Sequence, residues 1–347
     1  MEPASLHSPG ASASIFTSFV AYGAEHRERE SIAAFLAECD AEGLESRVVI
    51  TDNYERYTQG ELERLREEWC EGPLHAAWFS MDMSETDETL PESGSSFPNS
   101  RVVFFPTLSN LGYARAHNLA YRLGGGSGYS AFLAATPDVR IETPGGIRTL
   151  LARLEAEPDA GVVGPCIVDG NNRRQGPFRF QGAAQRYGPL LAAPLVRLAT
   201  GSYFIDDTIR SPRRGPVYRL MGCFLLFRPQ AFEAAGGFDP QTFLYAEESI
   251  IAERLHSVGF RCHYEDSVTV RHEKGTTIGS HFDSAESLRL RFESDMIYYT
   301  AYAKSSRIGT AIARAGMWMF LRVWLPLHGV LHSSRPAART HGKRRGT

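Results

Sequence analysis

The chain has 347 residues, 43% of them apolar and 22% charged. This balance fits a globular protein large enough to bury a sizeable core, and it excludes a disordered, collagen-like or disulfide-scaffolded chain. The formal net charge of −3 excludes a nucleic-acid binder by charge alone. The charge is unevenly placed: no Asp or Glu follows Asp295, while nine Lys and Arg residues run from Lys304 to Arg345, so the first 295 residues sum to −12. An acidic body with a basic tail points to an anionic surface as the tail's partner.

Five scattered cysteines (Cys39, Cys70, Cys166, Cys223 and Cys262) and no CxxC indicate neither a zinc site nor a disulfide framework, and fit a reducing compartment. No basic segment followed by an apolar stretch opens the chain, so no signal peptide is expected. No run of about 18 uncharged apolar residues is present to span a bilayer.

Residues 1–13 are small and polar and are expected to fray. Residues 15–22 read as a buried strand, followed by a helix carrying Ile32, Phe35 and Leu36. Residues 47–53 form a second strand that closes on Asp52, and Leu62, Leu65 and Trp69 have helical spacing. The acidic, Ser-, Pro- and Gly-containing stretch 80–100 reads as an exposed loop. Residues 101–106 are a third strand, and a helix opens behind Ser109 or Asn110. Residues 129–135 are a fourth strand, closed by Thr136-Pro137-Asp138. Leu150, Leu151 and Leu154 mark a helix, and 161–168 a fifth strand. This alternation predicts an α/β fold on a mainly parallel sheet.

The Gly-, Pro- and Arg-rich stretch 170–216 breaks the pattern and reads as an irregular insert over the sheet. A strand-like run at 217–228, a turn at 236–239, a helix from Glu247 and strand segments at 261–264 and 267–275 follow. From about Ser284 the chain is helical to about Leu331. The expected organisation is a flexible segment 1–13, a catalytic-type domain 14–283 and a helical, basic extension 284–347.

In an open parallel sheet the ligand lies beyond the carboxyl ends of the strands. Asp52, Asn110, Asp138 and His272 stand at such ends. A carboxylate and an imidazole there can hold a divalent metal beside a phosphate. Taken alone, Asp138 also reads as a turn residue after Pro137. Asn110, Gly112, Arg115 and Asn118 open a helix, which suits phosphate through its free N–H groups and the Arg115 cation. An ordinary capped helix with a surface Arg has the same pattern. The run Gly124–Gly128 follows a helix rather than a strand and lacks a Lys-Ser/Thr ending, so it reads as a connection. Glu247 and Glu248 are adjacent carboxylates behind an aromatic run, a setting that raises one pKa and suits a general base. Glu at a solvated helix start is the plainer alternative.

Taken together, these pieces resemble family 2 glycosyltransferases, particularly the bacterial rhamnosyltransferase-like branch, over about residues 14–275. The matching runs are SNLGYARAHN, ATPDV, GVVGPCI, MGCFLLFRPQAFEAAGGFDPQTFLYAEE with Arg254 six residues on, and VRHEKGTT, in the family's order. The resemblance implies a GT-A type nucleotide-diphospho-sugar-binding fold and an inverting transfer. It places Asp52 at the base, and Asn110, Gly112, Arg115 and Asn118 around the nucleotide. It gives Asp138 to a divalent cation (Mn2+ or Mg2+) with His272 nearby. Glu248 becomes the general base, with Glu247 as its fallback. Thr136 and Ile250 stand where the family carries acids, and Tyr22-Gly23 where an Asn often follows the first strand. The implied partners are a nucleotide-diphospho-sugar donor, with a rhamnose-like or other hexose, and a lipid-linked or polysaccharide acceptor. Nucleic acid is not among them. A non-catalytic member that binds a nucleotide sugar or glycan within an assembly complex is the alternative, motivated by Thr136 and Ile250.

Residues 316–332 hold Trp318, Phe320, Trp324 and Leu327, interrupted by Pro326 and Gly329. With the flanking cations this stretch reads as an interfacial segment on anionic lipid, and a core-packed helix is its alternative. The expected location is cytoplasmic, peripheral on the inner face of the cell membrane.

Overall fold

The computed structural model describes residues 13–23, 26–80, 97–272 and 284–327. The expectations for 1–12, for most of the 80–100 loop, for 273–283 and for 328–347 lie outside the described residues.

Among the described residues ten strands form one sheet: β1 (Ser14–Ala21), β2 (Glu45–Asp52), β3 (Ala77–Trp78), β4 (Val102–Pro106), β5 (Ala131–Ala135), β6 (Val139–Ile141), β7 (Ala160–Val168), β8 (Gly215–Val217), β9 (Phe224–Phe227) and β10 (Arg261–His272). Their order is β3-β4-β2-β1-β5-β9-β7-β10-β6, with β8 on β10. The half from β3 to β5 is parallel, while β9 runs antiparallel to both β5 and β7. The order reverses at β1, which is flanked by β2 and β5. In open α/β sheets the ligand crevice lies at such a reversal, beyond the carboxyl ends of the strands.

The apolar runs form strands because both sheet faces are covered. Along β1, Ile15 and Phe19 face one core and Phe16 the other; Val48 and Ile50 oppose Val49 on β2 in the same way. The first face is covered by α1 (His26–Ala41) and α4 (Gly146–Ala156), through Ile32, Phe35, Leu150 and Leu154. The second is covered by α3 (Gly112–Leu123), behind α2 (Gln59–Arg66) in chain order, through Leu119 and Tyr121. Truncating a wholly buried ring such as Phe132 to Ala is worth about 3–5 kcal/mol.

The run at 217–228 is not one strand. Only 224–227 joins the sheet centrally, and residues 218–223 leave the ladder: Tyr113 Oη donates to Gly222 O at 2.6 Å. Conversely, the residues from Arg261 to His272 form the single strand β10, whose register with β7 shifts between Glu265 and Thr269.

The chain divides into two compact units. One holds residues up to Phe180 together with Asp207–Ala303; the other joins Gln181–Asp206 to the segment from Lys304 onward. The first adds α7 (Pro229–Ala234), α8 (Glu247–Ser257) and α9 (Ser284–Ile297), so the helix that opens the predicted extension belongs to it. Ile250 lies on the buried face of α8 as a core residue. The second unit contains α5 (Ala183–Tyr187), α6 (Ala193–Thr200) and α10 (Arg307–Met319). Of the predicted apolar face in this unit, Phe320 is buried against the Tyr203 ring at 4.9 Å. The Trp324 indole N–H donates to Leu191 O at 3.3 Å, whereas Trp318 and Leu327 are exposed.

Candidate active site

The antiparallel pairing of β5 with β9 sets Ala135 opposite Phe224, and the Thr136 N–H donates to Cys223 O at 3.1 Å. Asp138, two residues on, is thereby brought beside the loop 221–223. From the other side, the Gly222 N–H donates to Glu248 Oε1 at 3.2 Å. The Cys223 thiol records both neighbours. Burial pushes it well above its ordinary range, and the charges of Asp138 and Glu248 push it further. The predicted metal acid and the predicted base thus flank one short loop.

His272 pairs across β10 and β6 with Val139, which places its ring next to Asp138: His272 Nε2 lies 3.2 Å from Asp138 Oδ2. The Thr136 hydroxyl donates to Asp138 Oδ1 at 2.5 Å. Burial raises the Asp138 carboxyl, but the hydrogen bond and charge of His272, with the Thr136 hydroxyl, outweigh it and hold the group below its usual range. His272 Nδ1 lies 2.7 Å from Gln175 Oε1. Gln175 accepting from Nδ1 turns Nε2 toward Asp138, and a cation held between the two side chains would take the place of the Nε2 proton. Gln175 is buried, and its Nε2 has no hydrogen-bond partner among the described residues. One imidazole nitrogen and one carboxylate, both partly open, with a buried amide orienting the ring, fit a divalent cation that takes its remaining ligands from a diphosphate.

Glu247 and Glu248 open α8 directly after Tyr245 and Ala246, two consecutive non-glycine residues in the left-handed region at φ 72° and 65°. Such strain persists only where the surroundings enforce it. Here α9 supplies that support. Ser294 Oγ donates to Leu244 O at 2.7 Å, and the Arg291 guanidinium sits 4.2 Å over the Tyr245 ring. Glu247 is buried and its Oε1 has no hydrogen-bond partner among the described residues; burial first, and then the charge of Glu248, push its carboxyl up to about 8. Glu247 therefore keeps its proton at neutral pH, and Glu248, half-buried beside Gly222, is the member of the pair open to act on a substrate.

The predicted nucleotide residues hold this loop in place. Gly112, at φ +72°, starts α3 so close to the loop that a Cβ would meet Phe243 O at 2.2 Å. Both ends of the Asn118 amide clamp Phe238: Nδ2 donates to its O at 2.8 Å and Oδ1 accepts from its N–H at 3.0 Å. Arg115, exposed on α3, donates to Pro240 O at 3.2 Å, and Asn110 Oδ1 accepts from the Gly112 N–H at 3.1 Å. Asp52 is wholly buried. Its carboxylate accepts from the Gly23 and Tyr54 N–H groups at 2.9 and 3.2 Å and from Tyr57 Oη at 2.6 Å. Arg254 donates to the Gly236 and Gly237 carbonyls at 3.2 and 3.0 Å, tying α8 to the same turn.

Among curated proteins, the N-acetylglucosaminyl-diphospho-decaprenol L-rhamnosyltransferase of two Mycobacterium tuberculosis strains is 31% identical over an alignment of 273 residues, covering 75% of this chain and 80% of that relative. The chain belongs to family 2 of the glycosyltransferases. No family model matches it. Solved glycosyltransferases superpose more loosely. A mannosyltransferase from Pyrobaculum calidifontis, in complex with GDP-Man and Mn2+, gives a TM-score of 0.48 at 13% identity, covering 95% of this chain and 78% of that one. The S. aureus TarS 1-349 fragment with UDP-GlcNAc gives 0.47 at 13% identity, covering 90% and 72%.

The fold of this glycosyltransferase is mixed α/β on one mainly parallel sheet, and the loop 221–223 stands at the carboxyl end of β5, beside β1 where the strand order reverses. Two features were not singled out from the sequence. Gln175 comes from the insert, where no periodicity or motif marks it. At the end of β2, the rings of Tyr22, Tyr54 and Tyr57 cluster around Asp52, with centroids 5.3 and 4.6 Å apart along the series. A separate group, Glu157, Asp159 and His263, has its ligand atoms within 4.8 Å of one another. It stands at the amino ends of β7 and β10, the opposite end of those strands from His272, and Arg153 holds Glu157 at 2.8 Å. It takes no part in the crevice.

Proposed function

We propose that this glycosyltransferase is an inverting enzyme that moves a sugar, rhamnose or a related hexose, from a nucleoside diphosphate to a lipid-linked or polysaccharide acceptor. The observation that carries this reading is the placement of Asp138 with His272 on one side of the loop 221–223 and Glu248 on the other. An acceptor hydroxyl on the Glu248 side attacks the anomeric carbon and gives its proton to a Glu248 carboxylate oxygen. The bond from the anomeric carbon to the diphosphate oxygen breaks, and the electron pair leaves with the diphosphate. One displacement in line needs no covalent intermediate. Asp138 and His272 would hold a divalent cation, Mn2+ or Mg2+, which when bound offsets the charge of the departing diphosphate. Glu247, protonated and buried, keeps a second negative charge out of the crevice. The Tyr22, Tyr54 and Tyr57 cluster offers aromatic faces for the base, and Asp52 holds the loops that carry them.

The lipid-linked acceptor is supported by the name of the mycobacterial relatives, whose acceptor carries N-acetylglucosamine on a diphospho-decaprenol. Among the described residues no helix is long and apolar enough to cross a membrane. The acid-free, cationic chain end supports binding to the inner, anionic face of the cell membrane.

A screen of dTDP-, UDP- and GDP-sugars, read as nucleotide release with and without Mn2+, tests this reading. Glu248→Gln should lower turnover about 10²-fold or more with donor affinity nearly unchanged. Asp138→Ala should abolish metal-dependent donor binding with the fold intact. Wild-type turnover of Asp138→Ala in chelator would remove the cation from the reading, and full activity of Glu248→Gln would remove the base.

A further inference from the structure

The second compact unit carries exposed apolar residues on two helices that the reaction does not use. One stripe of α10, Ala313, Gly316 and Met317, is buried against the insert. The approach at Gly316 is so close that a Cβ would lie 2.1 Å from Tyr187 O. The opposite stripe is open. Ile308, Ala311, Ile312, Ala315 and Trp318 follow one another at helical spacing, with Ile308 74% and Trp318 60% exposed. On α6 of the insert, Leu195 and Leu198 are 69% and 86% exposed, three residues apart on one side. An isolated exposed Leu is ordinary, but most of the exposed large apolar residues of the described chain fall in this small unit.

The charge around these residues selects the occupant. In the described part of the unit, Arg186, Arg197, Lys304, Arg307, Arg314 and Arg322 stand against Asp206 as the one acid. Arg307, Arg314 and Arg322 are exposed on the same helical segment as the bare stripe. A second copy docked through the same face would bring like charge to like charge. The segment 328–347 has no acid and five Lys or Arg residues, so it is repelled in the same way. An anionic lipid surface matches both parts: headgroups for the cations, and the acyl boundary for Ile308, Ile312, Trp318, Leu195 and Leu198.

We infer that this unit docks on anionic membrane through two segments distant in sequence, the outer face of α10 and the insert helix α6. The inference rests on the membrane reading above and changes its contact: the face is not the one through Phe320 and Trp324, which are spent on Tyr203 and Leu191. Co-sedimentation of the full chain with vesicles of phosphatidylcholine, alone or mixed with phosphatidylglycerol, tests it. Wild type should bind the mixed vesicles. Leu195→Ser/Leu198→Ser and Ile308→Ser/Trp318→Ser should each weaken that binding about tenfold or more, since each removes two large apolar groups from the interface. All four positions are exposed, and an unchanged Tm confirms that the variants fold. Wild type that ignores anionic vesicles overturns the membrane reading itself. Wild type that binds while the α6 variant binds equally well overturns the two-segment docking alone. Concentration-dependent self-association lost in the same variants assigns the face to a second copy and overturns the lipid assignment.

Discussion

Glu247 is a buried acid whose carboxyl, pushed up to about 8 by burial and then by Glu248, holds a proton that the unfolded chain releases in the ordinary carboxylate range. Folding therefore binds a proton between those two values, and stability falls as pH rises through that window and levels off above about 8. Glu247→Gln has no proton to lose. Its Tm advantage over wild type should widen from about pH 5 to about pH 8 and then stay constant. A gap that does not change with pH would show that Glu247 is ionised in the fold. A second residue-scale expectation concerns Gln175, which orients His272 through Nδ1. Gln175→Leu should weaken Mn2+-dependent donor binding about 10- to 100-fold, and Gln175→Glu, which still accepts from Nδ1, should retain most of it. Equal binding in Gln175→Leu and wild type would leave the amide a packing group. Glu247, Glu248, Asp138 and His272 were named as candidates from the sequence because they stand at strand and helix ends in recognisable runs. Gln175 was not, because its importance comes from a contact across 97 residues, out of an irregular segment.

At the scale of elements, the parallel half of the sheet was legible because strands buried on both faces read as unbroken apolar runs. The run at 217–228 reads the same way and misleads. Its middle is apolar because Leu220 and Cys223 are buried in the two hydrophobic cores and Met221 packs on one of them, while the Gly222 backbone bonds Tyr113 and Glu248 instead of a neighbouring strand. The start of α3 shows how a helix end positions a distant loop. Gly112 at φ +72° approaches Phe243 O, and the Tyr113 N–H donates to that same oxygen at 3.3 Å. Gly112→Ala combines a left-handed backbone with a contact of 2.2 Å that only movement of the 243 carbonyl relieves. It should cost about 2 kcal/mol or more. It should also lower turnover by displacing the loop that ends in Glu248, with donor affinity less affected. A fully active, equally stable Gly112→Ala would mean that the loop adapts freely.

At the scale of the whole molecule, charge and apolar exposure are concentrated in one part of the chain. The first 295 residues sum to −12, and every Asp, Glu, Lys or Arg position after Asp295 is a Lys or Arg. The sequence shows that asymmetry but not the second compact unit, because part of that unit comes from 181–206, an insert with no periodicity of its own. The two ingredients of membrane binding are separable by salt. Each cation near an anionic leaflet contributes about 1 kcal/mol, and this attraction is screened beyond a Debye length of about 8 Å at physiological ionic strength. Burial of apolar side chains is not screened in this way. Replacing Arg335, Arg339, Lys343, Arg344 and Arg345 by Gln should therefore lower the affinity for phosphatidylglycerol vesicles at low salt and flatten its salt dependence. The Leu195→Ser/Leu198→Ser variant should shift the affinity by a similar factor at every salt concentration, leaving the slope as it is in wild type. Vesicle titrations of the three proteins across a salt series separate the terms. If the charge variant keeps the wild-type slope, the cations at the chain end do not meet the lipid, and the attraction resides in the other cations of the unit, Arg307, Arg314 and Arg322 among them.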